Sequence, residues 1–186
     1  MTKTRHIALL RAVNVAGHGS VRMAVLQRLV DRVGGTEVRT ILQSGNVVFS
    51  IAPGNSEALE RHLEQEARRR LEIETEFYVR DVKAWNALVE NNPYAKEARD
   101  DPGRLVVVVL KRPPTETAVN ELRRGIEGRE RVARGSCHLY AYYPDGQGRS
   151  KLTLGKIERA LGSSGTARNW NTVLRLQELA GGSVPP

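Results

Sequence analysis

Residues 105–110 read Leu-Val-Val-Val-Val-Leu, six apolar side chains in a row between Arg104 and Lys111. A run this short and this β-branched is a strand, and a strand without polar alternation has to be covered on both faces. A chain that carries one cannot be an open single layer; it needs helices or further sheet on each side. The 186 residues suffice for that. A chain of this size buries roughly two thirds or more of its unfolded surface without a metal or disulfide staple. Hydrophobic residues at 40% and charged residues at 27% are ordinary globular proportions and exclude a disordered tail or a coiled coil.

The remaining elements follow from periodicity. Residues 7–13 form a short apolar run and read as a buried strand. A loop with Gly17 and Gly19 leads to a helix over 23–33, with Leu26, Leu29, Val30 and Val33 on one face and Gly34-Gly35 as its stop. Residues 38–42 and 46–50 alternate about Ser44-Gly45, which reads as a two-residue hairpin loop. Pro53-Gly54-Asn55-Ser56 is a turn that ends in a helix cap. Leu59, Leu63, Ala67 and Leu71 then mark one face of a long helix, and 76–80 is a strand. This β-α-β-β-α-β order is the ferredoxin-like unit.

A helix over 82–89 places Val82, Trp85, Leu88 and Val89 on one stripe and ends before Pro93; residues 95–104 read as an exposed loop. The second half echoes the first. It offers the strand 105–110, a helix from a Thr115 cap through Leu122, and two strands within 131–143 turning near Gly135-Ser136. A helix carrying Leu154, Ile157, Ala160 and Leu161 is closed by Gly162. A short strand within 163–166 and a final helix opened by Trp170, Val173 and Leu174 complete it. The expected organisation is a first half over 1–81, a linking helix and loop over 82–104, a second half with the C-terminal helix over 105–180, and a frayed tail over 181–186. All of it is expected to fold as one cooperative unit.

Lys and Arg number 29 against 21 Asp and Glu, a net charge of +8. The excess is mostly arginine, dispersed among acidic residues along the helices. It suits an anionic partner, nucleic acid or a phosphorylated metabolite, or simply reflects the residue usage of a GC-rich genome; any nonspecific nucleic-acid binding at low salt is expected to vanish near physiological salt as counterion release loses its drive. The single cysteine, Cys137, excludes an internal disulfide and fits a reducing compartment. No apolar run approaches the ~20 residues of a membrane span, and 7–13 is too short for a signal-peptide core, so a cytoplasmic location is expected.

Three stretches carry a family pattern: Leu9-Leu-Arg-Ala-Val-Asn-Val-Ala-Gly17, Gln43-Ser-Gly-Asn-Val-Val-Phe49, and Arg149-Ser-Lys-Leu152 with Thr166-Ala-Arg-Asn-Trp-Asn-Thr-Val173. In combination they resemble the bacterial domain of unknown function 1697 family over about residues 7–179. The resemblance implies an α+β fold of two associated ferredoxin-like halves with antiparallel sheets, and no established activity. The chain departs from the pattern at Ala12 and Ala16, where the family usually has glycine.

Three clusters are candidates for binding. Arg11, Asn14, Gly17, Gly19 and Arg22 lie about a strand-to-helix turn, where glycines free backbone N–H groups and the helix start favours an anion. The Gly-Lys-Ser/Thr of a P-loop and the dinucleotide glycine fingerprint are both missing there. Ser44 and Asn46 flank the hairpin glycine, and either hold the turn or present polar groups beside the first loop. Ser150, Lys151, Thr166, Arg168, Asn169, Asn171 and Thr172, with Arg149 beside them, combine short capping residues with cations near helix starts. A cation there opposes the helix dipole, so it is either solvated or offset by an anion. Arg168 is expected at the surface, with Asn169 as N-cap of a helix beginning at Trp170.

Catalytic constellations are lacking. His6, His18, His62 and His138 are scattered, and neighbouring Cys137 and His138 point to opposite faces of a strand. Asp100-Asp101 reads as a solvated pair, and no Gly-x-Ser-x-Gly or His-Glu-x-x-His motif occurs. No metal and no cofactor are expected, and the residues assign no catalytic group. Tyr140 and Tyr142 share a strand face and could stack bases; Trp85 and Trp170 fall on apolar stripes and read as packing. The first reading is a binding module for a small anionic ligand at basic and glycine loops and helix N-termini. The alternatives are an enzyme that holds a phosphorylated or carboxylated substrate with arginines, and a nucleic-acid-binding protein.

Overall fold

Strand β1 (Thr4–Leu10) lies between β3 (Asn46–Ile51) and β4 (Phe77–Asp81), antiparallel to both, and alternation divides its side chains between two faces. Ala8 and Leu10 join Val47, Phe49, Phe77 and Val79 on one face. The helices α1 (Met23–Arg32) and α2 (Ser56–Leu71) pack there through Leu26, Leu29, Val30, Leu63 and Ala67. Edge strand β2 (Thr36–Ile41) completes a sheet of order β2-β3-β1-β4. A computed structural model supplies these facts and describes residues 3–11, 23–41, 45–72 and 74–181.

The chain divides into two compact units, Met1–Ala87 with Leu176–Pro186, and Leu88–Arg175. The second unit repeats the topology with β5 (Leu105–Leu110), α5 (Glu116–Arg124), β6 (Arg131–Arg134), β7 (His138–Tyr142), α6 (Leu154–Leu161) and β8 (Gly165–Asn169), in the order β6-β7-β5-β8. Each sheet is four-stranded and antiparallel, so the fold is α+β with two ferredoxin-like halves. Helices α3 (Val82–Glu90) and α4 (Ala95–Asp100) lie between them in sequence, and α7 (Trp170–Leu179) is the C-terminal helix. All six residues of β5 are buried, as their apolar run demands. Val106, Val108 and Leu110 meet Val119 and Leu122 of α5 and Ile157 of α6.

Local signals place most element ends. Asn55 caps α2, accepting from the N–H groups of Glu57 at 2.7 Å and Ala58 at 3.4 Å, and Thr115 caps α5 through Ala118 N–H at 3.2 Å. Other ends differ from expectation. β1 starts at Thr4 and closes at Leu10, because Thr4, Arg5 and His6 pair with Ile51, Ser50 and Phe49 and a ladder needs no apolar residues. Ile41 pairs with Asn46, and the connection where the two-residue loop is expected includes residues 42–44, outside the described residues. The stretch expected to be an exposed loop contains α4. Asn92 Oδ1 accepts from Tyr94 N–H at 3.0 Å ahead of it, and Ala95-Lys-Glu-Ala-Arg99 has high helix propensity. β8 runs to Asn169, past the predicted 166, because pairing with β5 overrides the polar look of Thr166-Ala-Arg-Asn169.

One edge strand of each sheet, β4 and β8, is met by glutamates. On α2, Glu60 and Glu64 stand one turn apart; Glu60 Oε1 accepts from Val79 N–H at 2.7 Å and Glu64 Oε1 from Phe77 N–H at 2.9 Å. On α6, Glu158 Oε1 accepts from Gly165 N–H of β8 at 2.8 Å. Carboxylates on edge N–H groups remove a template for pairing with another chain. Glu60 is buried and also accepts from Arg80 Nη1 at 3.1 Å, so its charge is matched.

Arg131, on edge strand β6, is held between the rings of Tyr94 and Tyr142 at 5.3 and 5.0 Å and bonds Glu97 of α4. That hydrogen bond holds the Glu97 carboxyl below its ordinary 4.5. A depressed carboxylate stabilises the fold fully above its unfolded value and loses that contribution as the pH falls through the lower native one. Glu97→Gln is therefore expected to cost under about 1 kcal/mol at pH 7, the range of exposed pairs. The gap from the parent should close as the medium is acidified below 4.5. Urea melts across pH 3–7 measure it, and a gap that widens in acid would contradict the assignment.

Candidate functional site

The three sequence clusters do not assemble as one site. Of the first, Asn14, Gly17, Gly19 and Arg22 lie outside the described residues, as does Ser44 of the second. Arg11 follows the end of β1, and its Nη1 donates to Glu76 Oε2 at 2.8 Å, which also accepts from the Tyr78 hydroxyl at 3.0 Å. Arg11 is thus already an ion-pair member, and Thr75 Oγ1 donates to its carbonyl at 3.3 Å. Asn46 is buried, and its amide donates to the Ile41 carbonyl at 3.4 Å, which supports the hairpin. Gly45 has φ +70°, and a Cβ there would sit 2.6 Å from Leu10 Cβ, so geometry alone accounts for this glycine.

The third cluster separates into two groups. Ser150 follows a 3-10 turn at Gln147–Arg149. Its hydroxyl donates to Glu130 and accepts from Leu152 N–H at 2.9 Å. Lys151 Nζ donates to Glu127 Oε2 at 2.8 Å, a bond that raises the lysine and lowers the glutamate. These two residues tie the start of α6 to the α5–β6 connection.

The other group lies at the β8–α7 junction. Asn169 is the N-cap expected of it: its Oδ1 accepts from Thr172 N–H at 2.9 Å and from Thr172 Oγ1 at 2.8 Å. Asn171 is exposed beside it. Thr166 and Arg168 pair with Val109 and Val107 and so share the sheet face turned away from α5 and α6. Arg168 Nη1 donates to Thr166 Oγ1 and to the Ala167 carbonyl, each at 2.8 Å. The surface position expected for Arg168 is corrected. Its side chain is part-buried, and burial pushes the guanidinium from 12.5 to about 10. Polar sequence around it hid this, because a strand's burial is decided by what lies over the sheet.

The same face carries Tyr140, which pairs with Val107. It is 1% exposed and donates its hydroxyl to the Leu88 carbonyl at 2.6 Å, and burial pushes its phenol well above the usual range. A ring in that position is closed to base stacking, whereas Tyr142 is half-buried. Trp85 and Trp170 are buried, as their stripes require.

Among the described residues, no group of three or more His, Cys, Asp or Glu could hold a metal ion, and no helix is long and apolar enough to cross a membrane. Three clefts of about 230, 280 and 530 Å³ are lined by residues outside the candidate clusters. The smallest of the three contains His6 and His62. Their 56-residue separation gave no spacing signal.

Comparison with known proteins adds the family. A model described as "Protein of unknown function (DUF1697)" matches residues 3–140. The chain belongs to the DUF1697 family. The first two motif stretches of this DUF1697 protein fall inside the match and the third, at 149–173, lies beyond it. Among solved structures it is similar to the conserved bacterial protein SP0830 from Streptococcus pneumoniae, at TM-score 0.73 and 21% identity, covering 96% of this chain and 99% of that one. At that identity the likeness is one of fold. None of the curated proteins matches the DUF1697 chain.

Proposed function

We propose that this DUF1697 protein binds a small anionic ligand at the β8–α7 junction. Arg168 supplies the charge, Thr166 orients the guanidinium, and the first N–H groups of α7, at Trp170 and Asn171, are donors that a helix leaves without an internal partner. Asn169 already serves the N–H of Thr172, so the ligand's share is the open first turn.

The observation that carries this reading is the burial of the Arg168 charge. Among its bonds are those to Thr166 Oγ1 and the Ala167 carbonyl, and burial pushes the guanidinium down to about 10. An anion on Arg168 offsets that penalty, since charge-assisted bonds gain most where water is excluded. Lys151, bonded to Glu127, is an accessory charge at most.

Urea denaturation with and without inorganic phosphate tests the site in the parent and in Arg168→Ala. Loss of the part-buried guanidinium and its bonds is expected to cost about 1.5–3 kcal/mol without ligand. Phosphate at a hundred times its dissociation constant should add about 2.7 kcal/mol to the parent and nothing to Arg168→Ala. Equal stabilisation of both proteins, or none of the parent at tens of millimolar, would overturn the assignment.

A further inference from the structure

His6 lies on β1 with only 2% of its surface exposed, on the face that α1 and α2 cover. Its ring is stacked on Phe49, its register partner, with centroids 6.0 Å apart. Nδ1 is 3.1 Å from the Thr4 carbonyl. A carbonyl only accepts, so Nδ1 carries the proton, and in the neutral ring Nε2 is a lone-pair acceptor. No described protein group donates to Nε2. The His6 ring lines a cleft.

The cleft is about 230 Å³ and lies where the start of α2 meets the ends of β1, β3 and α1. Its walls are mostly aliphatic: Val33, Ile51, Ala58 and Leu59. Asn55 also borders it, but its Oδ1 is taken by the N–H groups of Glu57 and Ala58. His62, one turn beyond Ala58, stands exposed at the rim. The space equals the share of roughly eight waters in the liquid, at ~30 Å³ each. One imidazole acceptor in the lining of a mostly aliphatic cleft calls for an apolar molecule with one hydrogen-bond donor.

We propose that this cleft is a second binding site, taking a small apolar molecule with a single hydroxyl, of the size of phenol, whose O–H donates to His6 Nε2. The site is separate from the anion site at Arg168 and stands or falls without it. A divalent metal does not suit a single buried imidazole with one exposed histidine near it. An acidic ligand does not suit a ring nitrogen that accepts.

The test is a titration of the full chain at pH 8 with phenol and, separately, with anisole, which keeps the ring and replaces the donor by a methyl ether. Amide signals of Ala58 and Leu59 and the imidazole nitrogens of His6 are followed by NMR. Phenol is expected to shift both sets, with anisole at least tenfold weaker. His6→Phe keeps a ring against Phe49 and removes the acceptor, so it should weaken phenol at least tenfold. Ala58→Leu, at an exposed helical position that borders the cleft, should abolish phenol binding while leaving the His6 signals in place. Phenol without effect at millimolar concentration, anisole binding as well as phenol, or Ala58→Leu binding unchanged would each overturn the proposal. The anisole comparison and Ala58→Leu decide it even where His6→Phe fails to fold.

Discussion

Trp170→Ala is expected to lower the stability of this protein by about 3–5 kcal/mol, the range for truncating a large buried aromatic. The ring is 3% exposed at the first position of α7, and the same stripe continues through Val173 and Leu176, both fully buried. A cavity of that size at a helix start cannot collapse easily, because Asn169 pins the first turn through Thr172. Leu174, expected on the stripe, is half-buried, so it offers little compensation. The neighbouring Asn171→Ala, on an exposed residue, is the internal control and should change stability by roughly 0.5 kcal/mol or less. Urea melts of the two variants decide the matter. A Trp170→Ala loss no larger than that of Asn171→Ala would place the ring outside the core.

A fragment of residues 1–81 is expected to show no cooperative melt and no dispersed amide spectrum, although it contains one complete β-α-β-β-α-β unit. Both of its helices pack on the sheet face of Ala8 and Leu10. The opposite face presents Ile7, Leu9, Val48 and Tyr78, all of them fully buried in the whole chain. In the fragment they would meet water. At about 1.5–3 kcal/mol for each such side chain, exposure of four forfeits roughly 6 to 12 kcal/mol, which matches the whole stability of an ordinary domain, ~5–15 kcal/mol. Circular dichroism melts and proton–nitrogen correlation spectra measure the outcome. A sharp melt with dispersed signals would show that the first half is stable by itself.

The positions of the elements were legible in the residues because they rest on neighbours in sequence. Leu26, Leu29, Val30 and Leu63 announce helix faces by their spacing, Asn55 and Thr115 announce caps, and Gly34 and Gly162 announce stops with φ of +90° and +61°. The unbroken apolar run of β5 announced its two-sided burial. Less local features escaped. The polar Thr166, Arg168 and Asn169 hide the full length of β8, yet β5 pairs with each of them across some sixty residues. Of the candidate site, the capping role of Asn169 was legible at a distance of three residues, whereas the burial of Arg168 was not.

Sequence alone determined the two β-α-β-β-α-β successions, the covered faces of β1 and β5 and the main helix ends, since periods of 2 and 3.6 and capping chemistry act within a few residues. Only the tertiary structure decided that Arg11 meets Glu76, that Lys151 meets Glu127, that Glu60 and Glu64 guard the edge of β4, and that His6 and His62 border one cleft. The partners in these contacts stand from 13 to 65 residues apart. Their meeting depends on strand register and helix placement, which no local pattern of residue types encodes.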